Sequence, residues 1–524
     1  MQMQKPYKYE KYIPQYYNVT SKLVDENVAM GRGDKTALYC KDATYTYREI
    51  QQRINKVGNA LHILGVHMDE RVMLVMKDSP EAVASFYGVI KIGAIPIFVN
   101  YMYTADDYRY LLNTSRARTL IADEEFMEAI EGWSEKLLYL KNVVIVGKPS
   151  RANHISFSDI VSRCSDQLDV EHTTVDDVAF WNFTSGSTGV PKGAVHLQHD
   201  IFTCIGNYAK GVIGLTSDDI LFSASKVFFA YGLGNTMFYP FGVGAAAVLL
   251  SERPFPETIF ETITKYRPTV FFGVPTLYAS MLQVENAEKK YDLSSLRICT
   301  SAGEALPKEI FFAWKRRFGL DILDGIGSTE LLHIFISNRP GDVKQGSSGK
   351  VVPGYSARIV DDEGNDLPDG EVGTLHVKGE SIAAFYWQHH EKTKTSMLGE
   401  WFNTGDKYYR DKDGYFYYCG REDDMLKVGG IWVSPIEVEE ALLSHPAVFR
   451  AAVVAKKDEN SLIKPKAFVV LKNGCEPSEA LGKELQLFVK KSIAPYKFPR
   501  WIEFVKELPM TETGKIQRYK LKDK

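Results

Sequence analysis

The feature that most constrains this chain is an alternation that runs through its first two-thirds. Short apolar runs are separated by longer amphipathic stretches such as EAVASFYGVIKIG. A short apolar run bounded by polar turns is typical of a buried strand, and alternation with helices favours largely parallel sheets covered by helices. We therefore predict an α/β fold in which layered sheets form a large domain, with strands at 71–76, 94–99, 118–122, 142–147 and 269–274.

The last third of the chain has a different pattern. The segments DDEGNDLPDG and YRDKDGYFYY are rich in turn residues and predict hairpins of a small β-rich subdomain. A polar stretch at 421–424 then precedes an α+β pattern, in which Ser434 and Pro435 predict a helix start and Glu437 completes a capping box. We therefore predict a large N-terminal domain and a small α+β C-terminal domain, over residues 1–422 and 423–524.

The composition excludes some classes of protein. Lysine and arginine number 63 and aspartate and glutamate 66, so the net charge of −3 offers no basic excess for nonspecific binding to nucleic acid or anionic membrane. The cysteines form no CxxC pair, which predicts reduced thiols in a cytoplasmic protein. Residues 227–251 carry no charge, but glycines and Pro240 interrupt them, so we predict a buried loop, helix and strand and no membrane span.

The strongest local motif is FTSGSTGVPKG, which runs from Phe183 to Gly193. Its glycines let backbone N–H groups approach an anion, its hydroxyls add donors, and Lys192 adds a point charge, so the segment suits a polyphosphate. It is not a Walker A loop, because Pro191 precedes the lysine and Gly193 follows it. A flexible turn is the alternative, but apolar runs on both sides place the segment between buried elements.

This segment resembles the phosphate loop of the adenylate-forming superfamily, which includes acyl- and aryl-CoA synthetases, peptide-synthetase adenylation domains and beetle luciferases. Five further segments resemble that family's motifs, in its order along nearly the whole chain. The resemblance implies an acyl-adenylate reaction and a small mobile C-terminal domain that swings about Asp423. The five segments are SAGEALP at 301–307, DGIGSTE at 324–330, TGD at 404–406, GREDD at 420–424 and PMTETGK at 509–515.

The resemblance also implies roles for individual residues. Lys515, Lys192 and Glu330 are implied to be catalytic, and Glu330 to position Mg²⁺. Coenzyme A is implied to pass beside a loop that contains Lys427, Gly429 and Gly430. ATP is implied to bind at Thr184, Ser185, Gly186, Ser187, Thr188, Gly189, Lys192, Gly303, Glu304, Ala305, Asp324, Gly325, Ile326, Thr329, Asp406, Arg421 and Lys515.

A narrower resemblance concerns the acid that is activated. The segments FFAYGLGN at 228–235 and IGSTELLHIF at 326–335 resemble those of benzoate–CoA ligases. Ile326 stands where many other branches have an aromatic residue, and residues 229–231 lack a histidine that many acyl-CoA synthetases carry. The resemblance implies formation of benzoyl-CoA, AMP and diphosphate from benzoate, ATP and coenzyme A, in a pocket lined by Ala230, Tyr231, Gly327, His333 and Ile334.

Several of these residues have a structural alternative. Taken alone, Glu330 is an ordinary helix-start carboxylate, Asp406 a turn residue and Arg421 a surface ion-pair partner; the ordered set of motifs favours their functional roles. His196 and His199 have the HxxH spacing of a metal site, but no third ligand is suggested, so we predict a structural role for both.

The aromatic residues of the predicted pocket are the most open to a second interpretation. Tyr231 suits a pocket wall or a core, and the same is true of Phe229 and Phe335. His333 is either a buried histidine with satisfied hydrogen bonds or part of the pocket lining.

Rival functions are open at this stage. One is a ligase for another acid, such as a hydroxy- or aminobenzoate, a cyclohexene carboxylate or a short branched acid. A peptide-synthetase module is disfavoured, because only nine residues follow Lys515. A nucleotide-binding regulatory protein is disfavoured by the intact motif set. The predicted partners are therefore a small carboxylic acid, ATP and coenzyme A, bound by a monomer or homodimer, with no nucleic acid.

Overall fold

The structure is a computed structural model that describes residues 16–131, 137–185, 191–428, 431–459, 462–494, 497–510 and 516–522. Seven residues of the predicted site lie outside these ranges, namely Gly186, Ser187, Thr188, Gly189, Gly429, Gly430 and Lys515. For three others the structure describes the backbone and not the side chain, namely Ser185, Asp423 and Lys427.

Strands and helices alternate through most of the chain. The strands are β1 Thr36–Cys40, β2 Ala43–Thr46, β3 Arg71–Val75, β4 Ile95–Phe98, β5 Thr119–Asp123, β6 Asn142–Val146, β7 Ile155–Ser156, β8 Val178–Ser185, β9 Pro191–Leu197, β10 Ile220–Ser223, β11 Ala246–Leu249, β12 Val270–Gly273, β13 Ile298–Ser301, β14 Ile322–Gly327, β15 Ile334–Ser337, β16 Lys350–Val351, β17 Ser356–Val360, β18 Gly373–Lys378, β19 Phe385–Tyr386, β20 Met397–Leu398, β21 Trp401–Arg410, β22 Phe416–Arg421, β23 Leu426–Val428, β24 Ile431–Val433, β25 Val448–Lys457, β26 Ile463–Leu471 and β27 Trp501–Phe504. The helices are α1 Tyr47–Ile63, α2 Pro80–Lys91, α3 Ala105–Ser115, α4 Met127–Glu131, α5 Phe157–Ser162, α6 Gln198–Cys204, α7 Ala230–Leu233, α8 Tyr239–Val243, α9 Pro256–Tyr266, α10 Pro275–Met281, α11 Ala287–Lys290, α12 Lys308–Phe318, α13 His390–Ser396, α14 Pro435–Leu443, α15 Glu479–Ser492 and α16 Tyr519–Lys522.

Two large sheets form the body of the N-terminal part. One has the strand order β19-β9-β8-β4-β3-β5-β6-β7 and the other β16-β15-β14-β13-β12-β10-β11-β1-β2. Their central strands are parallel, and antiparallel pairs occur only toward the sheet ends. Strands of parallel sheets are covered on both faces, so they read as continuous apolar runs. The predicted α/β class and all five strands predicted from such runs are confirmed.

The uncharged segment 227–251 is buried, as predicted. It forms α7, a turn at 234–238, α8 and the central strand β11, where Ala247 is fully buried. Its aromatic side chains pack against helices from other parts of the chain, as in the 5.4 Å contact between the rings of Tyr87 and Phe241. Among the residues that the structure describes, no helix is long and apolar enough to cross a membrane.

A smaller antiparallel sheet follows the two large ones. Its strands β17, β18, β21 and β20 lie side by side, and β22 pairs with β21. The turn from Asp411 to Gly414 joins β21 to β22, where the Gly414 N–H donates to the carbonyl of Asp411 at 3.0 Å. The predicted hairpin in YRDKDGYFYY and the β-rich subdomain are therefore confirmed.

The C-terminal part has its own three-stranded sheet, β25-β26-β27, covered by α14 and α15. The Ser434 hydroxyl caps α14 by accepting a hydrogen bond from the Glu437 N–H at 3.3 Å. The prediction of a full capping box is wrong, because the Glu437 carboxylate pairs with Lys497 Nζ at 2.6 Å instead of turning back to the helix start. The predicted boundary at residue 423 stays a prediction.

Candidate active site

Three of the predicted motifs follow strands of the two large sheets. Strand β8 leads into the phosphate loop, which we define as residues 184–192. Strand β13 leads into the stretch 302–305, and β14 leads into the turn that contains Glu330. In open α/β sheets, ligands bind outside the carboxyl ends of the strands, because loops from neighbouring strands converge there. The fold therefore brings together motifs that are far apart in the sequence.

Lys192 lies on β9 directly opposite Thr184 on β8, at the base of the phosphate loop. Its side chain is mostly buried, and this burial lowers the pKa of Lys192 below its ordinary value. The positive charge of Lys392 also lowers that pKa, whereas the carboxylate of Glu330 raises it, so both groups lie within electrostatic reach. An ammonium group in a partly dehydrated setting interacts more strongly with a phosphate oxygen than a fully solvated one does.

Glu330 lies in the turn Thr329–Leu331, between β14 and β15. Its Oε1 accepts a hydrogen bond of 2.7 Å from the hydroxyl of Tyr386. Burial and the charge of Glu330 raise the pKa of Tyr386, so the tyrosine stays protonated and donates. A carboxylate accepts at two oxygens, so this contact still permits a bond to a cation.

The next group of predicted residues follows β13. Gly303 has a φ of +94°, a conformation that glycine adopts without steric cost. Asp324 on β14 lies opposite Ser301, and its Oδ2 accepts a hydrogen bond of 3.3 Å from the Leu306 N–H. Burial raises the pKa of Asp324 to about 8, so its carboxyl group is mainly neutral at pH 7. The other predicted residues on this turn are Glu304 and Ala305.

Asp406 on β21 and Arg421 on β22 lie opposite each other in an antiparallel pair. Arg421 Nη1 donates to Asp406 Oδ1 at 3.0 Å and to the carbonyl of Thr404 at 3.1 Å. The Arg421 side chain is 47% exposed, so its remaining donors can reach a ligand. Its charge also contributes to the lowered pKa of Lys192, so the Arg421 guanidinium lies within electrostatic reach of that lysine.

Tyr231 and His333 form an aromatic wall beside these groups. Their rings are 5.4 Å apart, and the Tyr231 hydroxyl shares a hydrogen bond of 2.7 Å with Thr300 Oγ1. Nε2 of His333 lies 3.3 Å from the carbonyl oxygen of Tyr231, an acceptor, so Nε2 carries the ring hydrogen. Burial lowers the pKa of His333 to about 3, and the ring is therefore neutral. An uncharged, largely apolar wall suits a flat aromatic ligand.

Gly327 is the point at which β14 passes closest to the residue before β15. A Cβ atom on Gly327 would lie 2.6 Å from the carbonyl oxygen of His333, so the backbone approach requires glycine. Phe335 is fully buried, which favours a core role for it, whereas Phe229 is partly exposed. The remaining predicted residues lie on neighbouring elements, Ala230 on α7, Gly325 and Ile326 on β14 and Ile334 on β15.

The predicted residues of the C-terminal part lie at its junction with the rest of the chain. Asp423 falls in the short turn Glu422–Asp424, and Lys427 lies on β23. The chain that follows the undescribed residues 511–515 is anchored by Arg518, whose Nη2 lies 2.8 Å and 3.0 Å from the two carboxylate oxygens of Glu439. The roles predicted for Asp423, Lys427 and Lys515 stay predictions.

Sequence reasoning missed two contacts of the site. Tyr386 holds the Glu330 carboxylate, but it lies 56 residues away in the sequence and in no recognised motif. Thr300 holds the Tyr231 hydroxyl; its place directly before the SAGEALP motif is the one signal that pointed toward it. His196, which we had predicted to be structural, donates to the backbone carbonyl of Thr329 in the Glu330 turn.

The donor set around Glu330 fits Mg²⁺ only together with ligands from a nucleotide. Within the described parts of the chain, no group of three or more histidine, cysteine or acidic residues could hold a metal ion on its own. Mg²⁺ in nucleotide enzymes is typically held by one or two carboxylates together with substrate phosphates and water. One carboxylate at Glu330, near the ammonium of Lys192, fits that pattern, with the phosphates supplying the other ligands.

Comparison with known proteins agrees with this geometry. The family model of AMP-binding enzymes matches residues 25–387, and the model of the AMP-binding enzyme C-terminal domain matches residues 437–515. The benzoate–CoA ligase of Thauera aromatica is 48% identical over 97% of this chain and 96% of its own length. The 4-hydroxybenzoate–CoA/benzoate–CoA ligase of Rhodopseudomonas palustris is 44% identical over 97% of this chain and 94% of its own length.

A solved structure shows the same fold. The anthranilate–CoA ligase AuaEII, crystallised with anthranoyl-AMP, superposes with a TM-score of 0.94 at 44% identity, covering 98% of both chains. The match of the family models and these full-length similarities agree with the predicted resemblance. The chain belongs to the family of AMP-binding enzymes.

Proposed function

We propose that this chain is an ATP-dependent aryl–CoA ligase that converts benzoate, ATP and coenzyme A to benzoyl-CoA, AMP and diphosphate. The observation that carries this proposal is the uncharged pair of Tyr231 and His333. His333 lies three residues along the chain from Glu330, whose carboxylate is within electrostatic reach of Lys192. We therefore propose that the aromatic ring of the acid binds against this pair, next to the groups that suit a nucleotide phosphate. The similarity to a benzoate–CoA ligase over nearly the whole chain supports the same acid.

In the first half-reaction a carboxylate oxygen of the acid bonds to the α-phosphorus of ATP, and diphosphate leaves with the bonding electrons. Two anions must be brought together, so the protein has to offset negative charge where it develops. Lys192 and the hydroxyls of the phosphate loop hold the β- and γ-phosphates, and Lys515 approaches the carboxylate. Glu330 would hold Mg²⁺, which would offset part of the negative charge of the phosphates.

In the second half-reaction the thiolate of coenzyme A bonds to the carbonyl carbon of the aroyl-adenylate, and AMP leaves. AMP is a far better leaving group than oxide, which is the reason for the adenylate. The C-terminal part rotates about Asp423 between the two steps, withdrawing Lys515 and presenting Lys427, Gly429 and Gly430 to the coenzyme. Fixing reactants in line removes much of the entropic part of each barrier.

A second candidate is a benzoate that carries a ring hydroxyl or amino group. His333 is neutral and its Nε2 carries the hydrogen, so Nδ1 is an acceptor. This atom is buried and has no hydrogen-bond partner among the described residues. A donor on the ring of the acid would satisfy it, since a buried acceptor without a partner costs about 1–3 kcal/mol.

The test is release of diphosphate from Mg-ATP and acid, followed by thioester formation on addition of coenzyme A. The panel contains benzoate, 2-aminobenzoate, 4-hydroxybenzoate, cyclohex-1-ene carboxylate and isobutyrate. We expect the largest kcat/KM with benzoate. A larger value for a substituted benzoate selects the second candidate, a larger value for isobutyrate overturns the aryl assignment, and no diphosphate with any acid overturns the ligase.

We also propose that the protein works in the cytoplasm. All six of its cysteines are free thiols, and five of them are buried. Fractionation of cells that express the full chain would test this location. Recovery of the protein in a membrane or extracellular fraction would contradict it.

A further inference from the structure

The turn that carries Glu330 is held by donors from outside the turn. His196 Nε2 donates to the carbonyl of Thr329 at 2.7 Å, and the Ala383 N–H donates to the carbonyl of Glu330 at 2.7 Å. The Ser381 hydroxyl donates to the carbonyl of Leu331 at 2.8 Å. Three consecutive carbonyl oxygens are therefore tied to β9 and to the segment before β19.

Both side-chain donors have a second hydrogen-bond partner: the Ser381 hydroxyl lies 2.7 Å from that of Tyr355, and the His196 ring is held through its other nitrogen. Its Nδ1 lies 2.7 Å from Asp200 Oδ2, and both side chains are fully buried. The same carboxylate oxygen accepts the Leu197 N–H at 3.1 Å, and the ring of Phe180 stacks on the imidazole at 5.2 Å. A carboxylate that orients one nitrogen of a histidine fixes the direction in which the other nitrogen donates.

Strand β9 carries both His196, which bonds to the Glu330 turn, and Lys192, which ends the phosphate loop. Lys192 and His196 are four residues apart on β9, so their side chains project from the same face of the sheet. The strand is paired on both sides, with β8 and with β19, and β19 also carries Tyr386, the hydrogen-bond donor to the Glu330 carboxylate. One rigid strand thus sets the spacing between the lysine and the turn that carries the carboxylate.

We propose that His196, oriented by Asp200, is a positioning residue that holds the Thr329 carbonyl and thereby the metal-binding carboxylate of Glu330. The inference rests on the proposed role of Glu330 in binding Mg²⁺. This role needs no contact of His196 with substrate or metal, because it acts through the backbone of the turn. Loss of such an orienting contact typically costs roughly 10–100-fold in metal affinity or activity.

The neighbouring histidine supplies a matched control. His199 also lies against Asp200, with its Nε2 3.1 Å from Oδ1. Its ring nitrogens face the carbonyls of Val175 at 2.9 Å and Glu380 at 3.2 Å, and neither carbonyl belongs to the turn. A substitution at His199 therefore disturbs the same buried carboxylate without removing the bond to Thr329.

Two substitutions at His196 separate its two contacts. An asparagine amide takes the place of Nδ1 and keeps the contact with Asp200, whereas a glutamine amide reaches the place of Nε2 and keeps the bond to Thr329. We expect H196N to raise the Mg²⁺ concentration for half-maximal diphosphate release with benzoate by roughly 10–100-fold. We expect H196Q to stay within a few-fold of the wild type and H199N to leave the Mg²⁺ requirement unchanged.

Amide hydrogen exchange of the ligand-free protein gives a readout independent of activity. H196N should exchange faster in a peptide that spans residues 328–335, with no change in a peptide from the core strands β12 and β13. Three results would each overturn the proposal. The first is amide exchange at 328–335 in H196N that is as slow as in the wild type, and the second is an unchanged Mg²⁺ requirement in H196N. The third is an equal rise of the Mg²⁺ requirement in H196N, H196Q and H199N. If H196N does not fold, D200N replaces it, and an unchanged Mg²⁺ requirement there counts against the proposal equally.

E330Q is measured beside these variants to separate the two inferences. An unchanged Mg²⁺ titration in E330Q removes the metal role of Glu330 and this positioning role with it, while diphosphate release by the wild type still supports the ligase. A Mg²⁺-impaired E330Q together with a normal H196N overturns the positioning role alone.

Discussion

The two parts of the site differ in how they are held. Lys192 on β9, Glu330 in the turn after β14 and Tyr231 on α7 belong to the N-terminal part, whose core contains fully buried side chains as large as Trp181. The C-terminal part, which carries Lys515, packs around a separate small core of residues such as Val453 and Leu485. The groups proposed to bind the acid and ATP thus belong to the N-terminal part, whereas the groups that the proposed rotation exchanges between the half-reactions, Lys515 and Lys427, belong to a unit with its own core.

Polar contacts occur at the junction between the two parts. The Ser434 hydroxyl at the start of α14 donates to the carbonyl of Cys419 on β22. Within the C-terminal part, Arg518 Nη1 lies 3.9 Å from Asp424, which directly follows the predicted hinge residue. Polar contacts of this kind are typical of domain interfaces that rearrange, because their loss on separation is offset by water.

The largest effect is expected at the ion pair that anchors the last segment of the C-terminal part. Glu439 is almost fully buried, so removing its arginine partner leaves an unpaired carboxylate in the interior. Breaking such a pair costs about 3–5 kcal/mol. We expect R518A to destabilise the C-terminal part by this amount, as measured by hydrogen exchange of its peptides in denaturant.

The control for this variant is K483A, which removes an exposed pair with Glu479 on α15 of the same part. We expect little change there, because exposed pairs contribute little to stability. Peptides from the two large sheets should be unaffected by either variant. Equal destabilisation of both parts by R518A would mean that they unfold as one unit, which would break the contrast between them.

A slightly smaller effect is expected when Lys515 is replaced. K515A should slow aroyl-adenylate formation by about 10²–10³-fold, equivalent to ~3–4 kcal/mol, because a preorganised positive charge is lost where two anions meet. Conversion of supplied benzoyl-adenylate and coenzyme A to the thioester should stay near the wild-type rate. The control is K506A, an exposed lysine of the same part. Equal slowing of both half-reactions by K515A would contradict the alternation of the C-terminal part.

In the N-terminal part, E330Q should impair adenylation by weakening the binding of Mg²⁺. An amide oxygen is a weaker ligand than a carboxylate for a hard cation, so half-maximal adenylation should need at least about tenfold more Mg²⁺. Y386F, which removes the 2.7 Å hydrogen bond to Oε1, should change the requirement less. E391Q, on the exposed face of α13, serves as the control. A normal Mg²⁺ titration in E330Q with full activity would exclude the metal role.

The sequence predicted this contrast in outline. Apolar runs marked the strands because burial on both faces leaves few polar positions, and the motifs marked loops because phosphate chemistry needs glycine, hydroxyl and lysine side by side. Contacts between distant segments carried no such signal. The hydrogen bond between Tyr386 and Glu330 depends on β19 lying beside β9. The ion pair between Glu437 and Lys497 depends on how α14 packs in the C-terminal part. Both are set by tertiary packing, which local patterns do not encode.

The smallest effect is expected at the aromatic wall of Tyr231 and His333. This wall lies wholly in the N-terminal part, so it tests the contrast between the two parts from that side alone. Replacing Tyr231 by alanine removes a ring that lies 5.4 Å from that of His333 and opens the pocket. Benzoate should lose about 1–3 kcal/mol of preference over a bulkier acid such as 2-naphthoate, because close packing of a small apolar group contributes about this much. Y231F keeps the ring and loses the bond to Thr300, so its preference should stay near that of the wild type. Ratios of kcat/KM for the two acids measure the effect. An unchanged ratio in Y231A would place the acid elsewhere, and a shift of equal size in Y231F would assign selectivity to the hydroxyl and not to the ring.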